Sequence, residues 1–135
     1  MLLRIAALSA IQRRLLARAL WRLAGMRVAL WIRSLDALHR SIEQGRRRDR
    51  PDFTPQEAAW AVRAVARRVP GTHCLVRSLA LHALLRDAGF DSELRIGVAR
   101  DGTGIAAHAW VRCGGEDLEE GAVAADYVSL GSLPR

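Results

Sequence analysis

Apolar residues recur at intervals of three or four through the first part of the chain: Ile5, Leu8, Ile11, Leu15, Ala19, Leu23, Met26 and Leu30. That spacing marks one face of an α-helix, with Arg13, Arg14 and Arg18 on the other side. Gly25 is expected to divide the stretch into two helices. The charged run GRRRDRPDF over 45–53 reads as a connector. Thr54-Pro55-Gln56-Glu57 then starts a new helix: threonine caps, proline suits the first turn, and glutamate stands at the capping-box position. Ala58, Ala59, Val62 and Val65 give this helix its apolar face, and Pro70-Gly71 stops it. A further helix starts at Cys74 and runs to Gly89, a residue suited to a left-handed terminator.

Beyond Gly89 the period changes from about 3.6 to 2. Ser92 to Val98 alternates as a strand, Arg100 to Gly104 forms a turn, and Ala106 to Cys113 forms a second strand. In that second strand His108, Trp110 and Arg112 share one face, and Ala107, Ala109, Val111 and Cys113 share the other. Gly114-Gly115 makes a hairpin turn, Leu118 belongs to a short third segment, and Asp126 to Leu130 reads as a last strand. Helices followed by a small antiparallel sheet give an α+β fold.

The length of 135 residues suits about one domain. All 21 basic residues are arginine, which we read as a bias of composition. Their placement changes the picture more than their number. Residues 1–50 hold 12 arginines against 3 acids, and residues 51–135 hold 9 arginines against 11 acids, a net +9 and −2. The expected organisation is a basic helical arm over 1–50 joined to a near-neutral core over 51–135 that carries the candidate chemistry. No nucleic-acid-binding motif accompanies the arginines, so no nucleic acid is expected as a partner. Arginines interrupt every apolar stretch before it reaches a membrane span, and membrane contact is not expected. The opening lacks the pattern of a secretory signal, which leads to the expectation of a cytoplasmic protein with reduced thiols.

The candidate chemistry centres on Cys74. Attack on a peptide carbonyl needs a thiolate, and the unpaired N–H groups and positive dipole end at a helix start favour that form. His108 follows 34 residues later on the expected second strand, with the acidic cluster EDLEE soon after. A neighbouring imidazole takes the thiol proton and returns it to the leaving amine, while an acid fixes the ring. The backbone N–H of Cys74 is a candidate oxyanion donor. Taken alone, each residue has a plainer role. Cys74 could be a packed cysteine and His108 a core histidine; Trp110 either walls a cleft or fills the core. Cys113 is expected to be packed, His73 to lie on a surface turn, and His39 and His82 receive no role. Cys74, Cys113, His73 and His108 total four potential zinc ligands, but without CxxC or HxxxH spacing no metal or other cofactor is expected.

The stretch CLVRSLALHALLRDAGFDSELRIGVARDGTGIAAHAWVRCGGEDLEE resembles the core of the transglutaminase-like B2 proteins of lasso-peptide biosynthesis, through CLxRSLALHxLLRxxGxxxxLxIGV and HAWV. The resemblance covers about residues 55–130. It implies a transglutaminase-like, papain-like core and removal of the leader from a ribosomally made precursor peptide. It also implies Cys74 as nucleophile and His108 as general base and acid. The family's acid, most often aspartate, lies about a dozen residues beyond the histidine, where this chain carries Glu120. Glu116, Asp117 and Glu119 stand close by; if 116–120 is a strand, Glu116, Leu118 and Glu120 share a face, and Asp117 is the second choice. The implied partners are the precursor, a small leader-recognition protein of the B1 type and an ATP-dependent lasso cyclase; the basic arm is the expected dock for the recognition protein or the peptide. Acyl transfer to an amine, as in a true transglutaminase, uses the same triad. A helical adaptor with an incidental thiol is the non-enzymatic alternative.

Overall fold

Four helices and a four-stranded antiparallel sheet make up the computed structural model, in which residues 8–45, 52–69, 73–101, 104–118 and 128–132 are described. The helices are α1 (Ala10–Ile32), α2 (Leu35–Gln44), α3 (Pro55–Ala66) and α4 (Cys74–Asp87). The strands are β1 (Ser92–Asp101), β2 (Gly104–Cys113), β3 (Glu116–Asp117) and β4 (Val128–Ser132), in the sheet order β3-β2-β1-β4. This is the α+β arrangement that the change of period implies.

Local chemistry sets the helix ends. Ser9 and Thr54 each close a capping box, with Gln12 and Glu57 respectively, and the Ser34 hydroxyl accepts from the N–H of Ala37. At the end of α4, Gly89 takes a φ of 93°. Its N–H donates to the Arg86 carbonyl at 3.1 Å, and that of Phe90 donates to Leu85 at 3.0 Å. These are the two bonds of a Schellman motif, and the Phe90 ring that follows packs against Phe53.

Gly25 does not divide the first helix. One glycine inside a helix costs only about 1 kcal/mol relative to alanine, and α1 is held across it by Leu23 and Met26, both buried. The break comes instead at Arg33, and Ser34 caps the next helix. Leu15, Ala19, Leu23 and Met26 enter the same core as Val76, Leu79, Leu84 and Val111, so the arm packs on the rest of the chain. Arg13 and Arg14 are exposed, whereas Arg18 turns inward, 3.8 Å from Asp52 and over the ring of Phe53.

Helix α4 is apolar on nearly every side because it is covered on nearly every side. Helices α1, α2 and α3 pack against it, as do strands β1 and β2. The β1–β2 hairpin is longer than its alternation suggests: pairing runs from Ser92↔Cys113 to Asp101↔Gly104. The β2–β3 turn is Gly114-Gly115, with φ of 61° and 80°, values that suit the primed turns of tight hairpins and that other residues rarely adopt. Among the described residues no helix is long and apolar enough to cross a membrane.

Candidate active site

Cys74 is the first residue of α4, half-buried and free. Its helix start differs from the other three. The N-cap is His73, whose side chain makes no capping hydrogen bond. The first-turn N–H groups are therefore not taken by a cap side chain, and the positive end of the helix dipole lies at the sulfur.

His108 lies midway along β2 and is half-buried. Ser78 ties its strand to the cysteine helix. This residue is one helical turn beyond Cys74, on the same side of α4, and its hydroxyl donates to the carbonyl of Ala109 at 2.9 Å. The Val111 carbonyl, two residues along, accepts from the N–H of Leu118 at 2.9 Å. Alternate carbonyls of a strand point the same way. Ser78 thus occupies the edge of β2 just where β3 gives out, and fastens α4, one turn beyond Cys74, to the residue that follows His108.

On the sheet face opposite Val111 and Cys113, the rings of His108 and Trp110 lie 6.1 Å apart and 20° from parallel. Gly97, paired with His108 on β1, contributes no side chain beside the imidazole. Trp110 is buried, and its indole N–H donates to Asp117 Oδ1 at 3.0 Å. The tryptophan is thereby fixed at both ends, and the imidazole stacks on a rigid neighbour. Val111 and Cys113 on the opposite face belong to the core.

The acids divide by position. Asp117 is on the His108 face but pairs with Arg112, four residues along the strand, roughly 13 Å from His108. Its carboxylate serves Trp110 and lies 3.9 Å from Arg112 Nε. Glu116 faces the helices and accepts from Gln56 Nε2 at 2.9 Å. Neither carboxylate orients the imidazole. The strand containing them ends at Asp117, short of the 116–120 span on which alternation was reasoned. Glu119 and Glu120 lie outside the described residues.

A second polar cluster, with no role foreseen from the sequence, lies farther along α4. His82 and Ser92 are fully buried. His82 Nδ1 is 2.8 Å from Ser92 Oγ and its Nε2 is 2.8 Å from Glu43 Oε1. The other carboxylate oxygen of Glu43 lies 2.9 Å from Arg86 Nη2. His39, stacked on His82 at 5.5 Å, has its Nε2 3.5 Å from the same Oε1. The Ser-His-Glu relay has the connectivity of a hydrolase triad, but a serine without exposed surface meets no substrate. The ligand atoms of His39, Glu43 and His82 lie within 4.8 Å of one another. The buried Arg86 guanidinium already neutralises the carboxylate and opposes a second cation, so we read the cluster as a structural clamp. It joins α2, α4 and β1. The four residues weighed as zinc ligands do not form one set, because Cys113 and His108 lie on opposite faces of β2.

The two thiols differ in surroundings. Burial, and secondarily the negative charge of Asp91, pushes the Cys113 thiol up from its ordinary value. Cys113 should therefore stay a thiol at neutral pH and react slowly. Limited treatment with iodoacetamide followed by peptide mass mapping is expected to modify Cys74 at least about tenfold faster than Cys113; equal rates would contradict the assignment.

Comparison with protein families matches the chain to the transglutaminase-like superfamily over residues 15–131. The matched span includes most of α1 as well as the Cys74 helix and nearly all of the sheet. Searches of curated proteins and of solved structures returned no match.

Proposed function

Since the chain belongs to the transglutaminase-like superfamily, whose members include cysteine peptidases and acyltransferases, we propose that it is a cysteine peptidase that removes the leader from a ribosomally made lasso-precursor peptide. The observation that carries this reading is the fastening of the Cys74 helix to the strand of His108 through Ser78 and Ala109. The motifs CLxRSLALHxLLRxxG and HAWV supply the substrate class.

In this mechanism His108 accepts the proton of Cys74, and the sulfur attacks the carbonyl at the leader–core junction. Negative charge grows on the carbonyl oxygen, and the N–H groups at the start of α4, that of Cys74 among them, stabilise it. The imidazolium then protonates the leaving amine, which departs with the core peptide and leaves the leader as a thioester on Cys74. Water, deprotonated by His108, hydrolyses the thioester and restores the thiol. Glu120 is the proposed acid that holds the imidazole in the required tautomer. The stacking of Trp110 limits the ring's rotation.

Ser78 positions the two reacting groups without touching the substrate. Ser78→Ala leaves a buried carbonyl without its donor and is expected to cost about 1–2 kcal/mol in stability. It should also lower kcat about tenfold with little change in KM, and Ser78→Thr should recover part of the loss. Equal kcat in Ser78→Ala and the parent would remove this role.

Residues 1–50 form the proposed docking arm for the recognition protein or the precursor, with an ATP-dependent cyclase acting on the freed core in the cytoplasm. The test is incubation with a candidate precursor, with and without its recognition protein, read by mass spectrometry. Separate leader and core masses are the expected products. If an added primary amine is instead incorporated into the leader fragment, the enzyme is an acyl transferase; unchanged precursor in every arm would point to a helical adaptor.

A further inference from the structure

Helix α1 has two apolar faces, and the described residues cover only one. Leu15, Ala19, Leu23 and Met26 fill the core. On the opposite side Trp21 is 78% exposed, Val28 64% and Trp31 87%. Exposure of this kind is unusual: a large aromatic ring normally removes 150–250 Å² from water, and contiguous exposed patches of several hundred Å² mark interaction surfaces.

The order of these residues is more informative than their number. Ala17, Trp21, Ala24, Val28 and Trp31 follow one another at intervals of four, three, four and three, and all are exposed. This is the repeat by which one helix receives another, and it runs for about 21 Å along the axis. Large and small residues alternate, so Ala24 leaves a hole between Trp21 and Val28 for a partner's side chain. Gly25 beside it is open as well: a Cβ there would meet nothing within 4 Å. A bilayer would need no such alternation; a helix does.

Charge defines the partner. Residues 1–35 contain seven arginines and no aspartate or glutamate. Arg13 and Arg27 flank the seam, Arg14 stands at its head, and none of the three makes an ion pair among the described residues. A second copy of the chain would bring arginine against arginine. We propose that the outer face of α1 docks an amphipathic helix of a partner protein, with apolar residues along its seam and glutamate or aspartate on its flanks. The inference deepens the reading of the arm as a docking element, and it stands apart from the chemistry of Cys74.

The test uses the full chain and a synthetic 28-residue helical peptide with leucine at the seam positions and glutamate on the flanks. The same peptide with lysine on the flanks serves as control. Binding to the glutamate peptide is expected to shift tryptophan emission to the blue, with affinity at least about tenfold above that of the lysine peptide. The double variant Trp21→Ser, Trp31→Ser should lose about tenfold or more in affinity while keeping the parent's circular dichroism and rate of Cys74 alkylation. Equal binding by parent and variant, or by both peptides, would overturn the proposal. So would tight binding to phosphatidylglycerol vesicles in place of the glutamate peptide, or self-association in sedimentation velocity that the double variant abolishes. Retained peptide binding by Cys74→Ala, with cleavage lost, would separate docking from catalysis.

Discussion

Replacing Cys74 by alanine is expected to lower precursor cleavage by at least about 10⁴-fold, and His108→Ala should do nearly the same. Both variants should keep the parent's melting temperature within a few degrees, because each residue is only half-buried. The double variant should be no worse than either single one, since a nucleophile and the base that serves it act as a unit. Losses that multiplied instead would show two independent contributions and would contradict a shared site. Glu120→Ala belongs to the same series. A severe loss supports its role in holding the imidazole, whereas an unchanged rate moves that role to another acid. By contrast, Asp117→Ala acts through Trp110 and should loosen the histidine without removing its chemistry.

The largest effect on stability is expected from Glu43→Ala. Its carboxylate is shared by His82, Arg86 and His39. Removing it would leave the Arg86 guanidinium buried, with the exposed Asp91 as its remaining acidic partner. Breaking a buried pair from one side typically costs about 3–5 kcal/mol, because the uncompensated charge stays inside. For a chain of this size that corresponds to a fall in Tm of roughly 10–20 °C. Glu43→Gln keeps the shape and part of the hydrogen bonding, and should lie between the parent and alanine. Differential scanning calorimetry checks the order. A loss below about 1 kcal/mol for Glu43→Ala would mean that the clamp contributes little to holding α2 against α4.

The same cluster explains where sequence reading stopped. Elements with a strong period were legible: the stripe of α1, the capping box at Thr54 and the alternation through His108 and Trp110 all depend on near neighbours. So was the opposition of Cys113 to His108, which needs only a period of two. Glu43 and His82 are 39 residues apart, and no local pattern announces their hydrogen bond. Ser78 stood in the RSLALH motif, but its role depends on where β2 passes. The same holds for Asp117, a candidate triad acid by sequence, which pairs with Arg112 four strand positions from the histidine and anchors Trp110 instead. Gly25 misled because a helix packed along its length tolerates one glycine. The exposed tryptophans were invisible for the opposite reason: both faces of α1 are apolar, and only the fold decides which one faces the core.

The central claim is that Cys74 and His108 share one open groove, and the rate of Cys74 alkylation by iodoacetamide in the parent and in His108→Ala at neutral pH tests it without any substrate. The expected result is a fall of about tenfold or more when the imidazole is removed, with Cys113 unaffected. Identical Cys74 rates in the two proteins would contradict the claim.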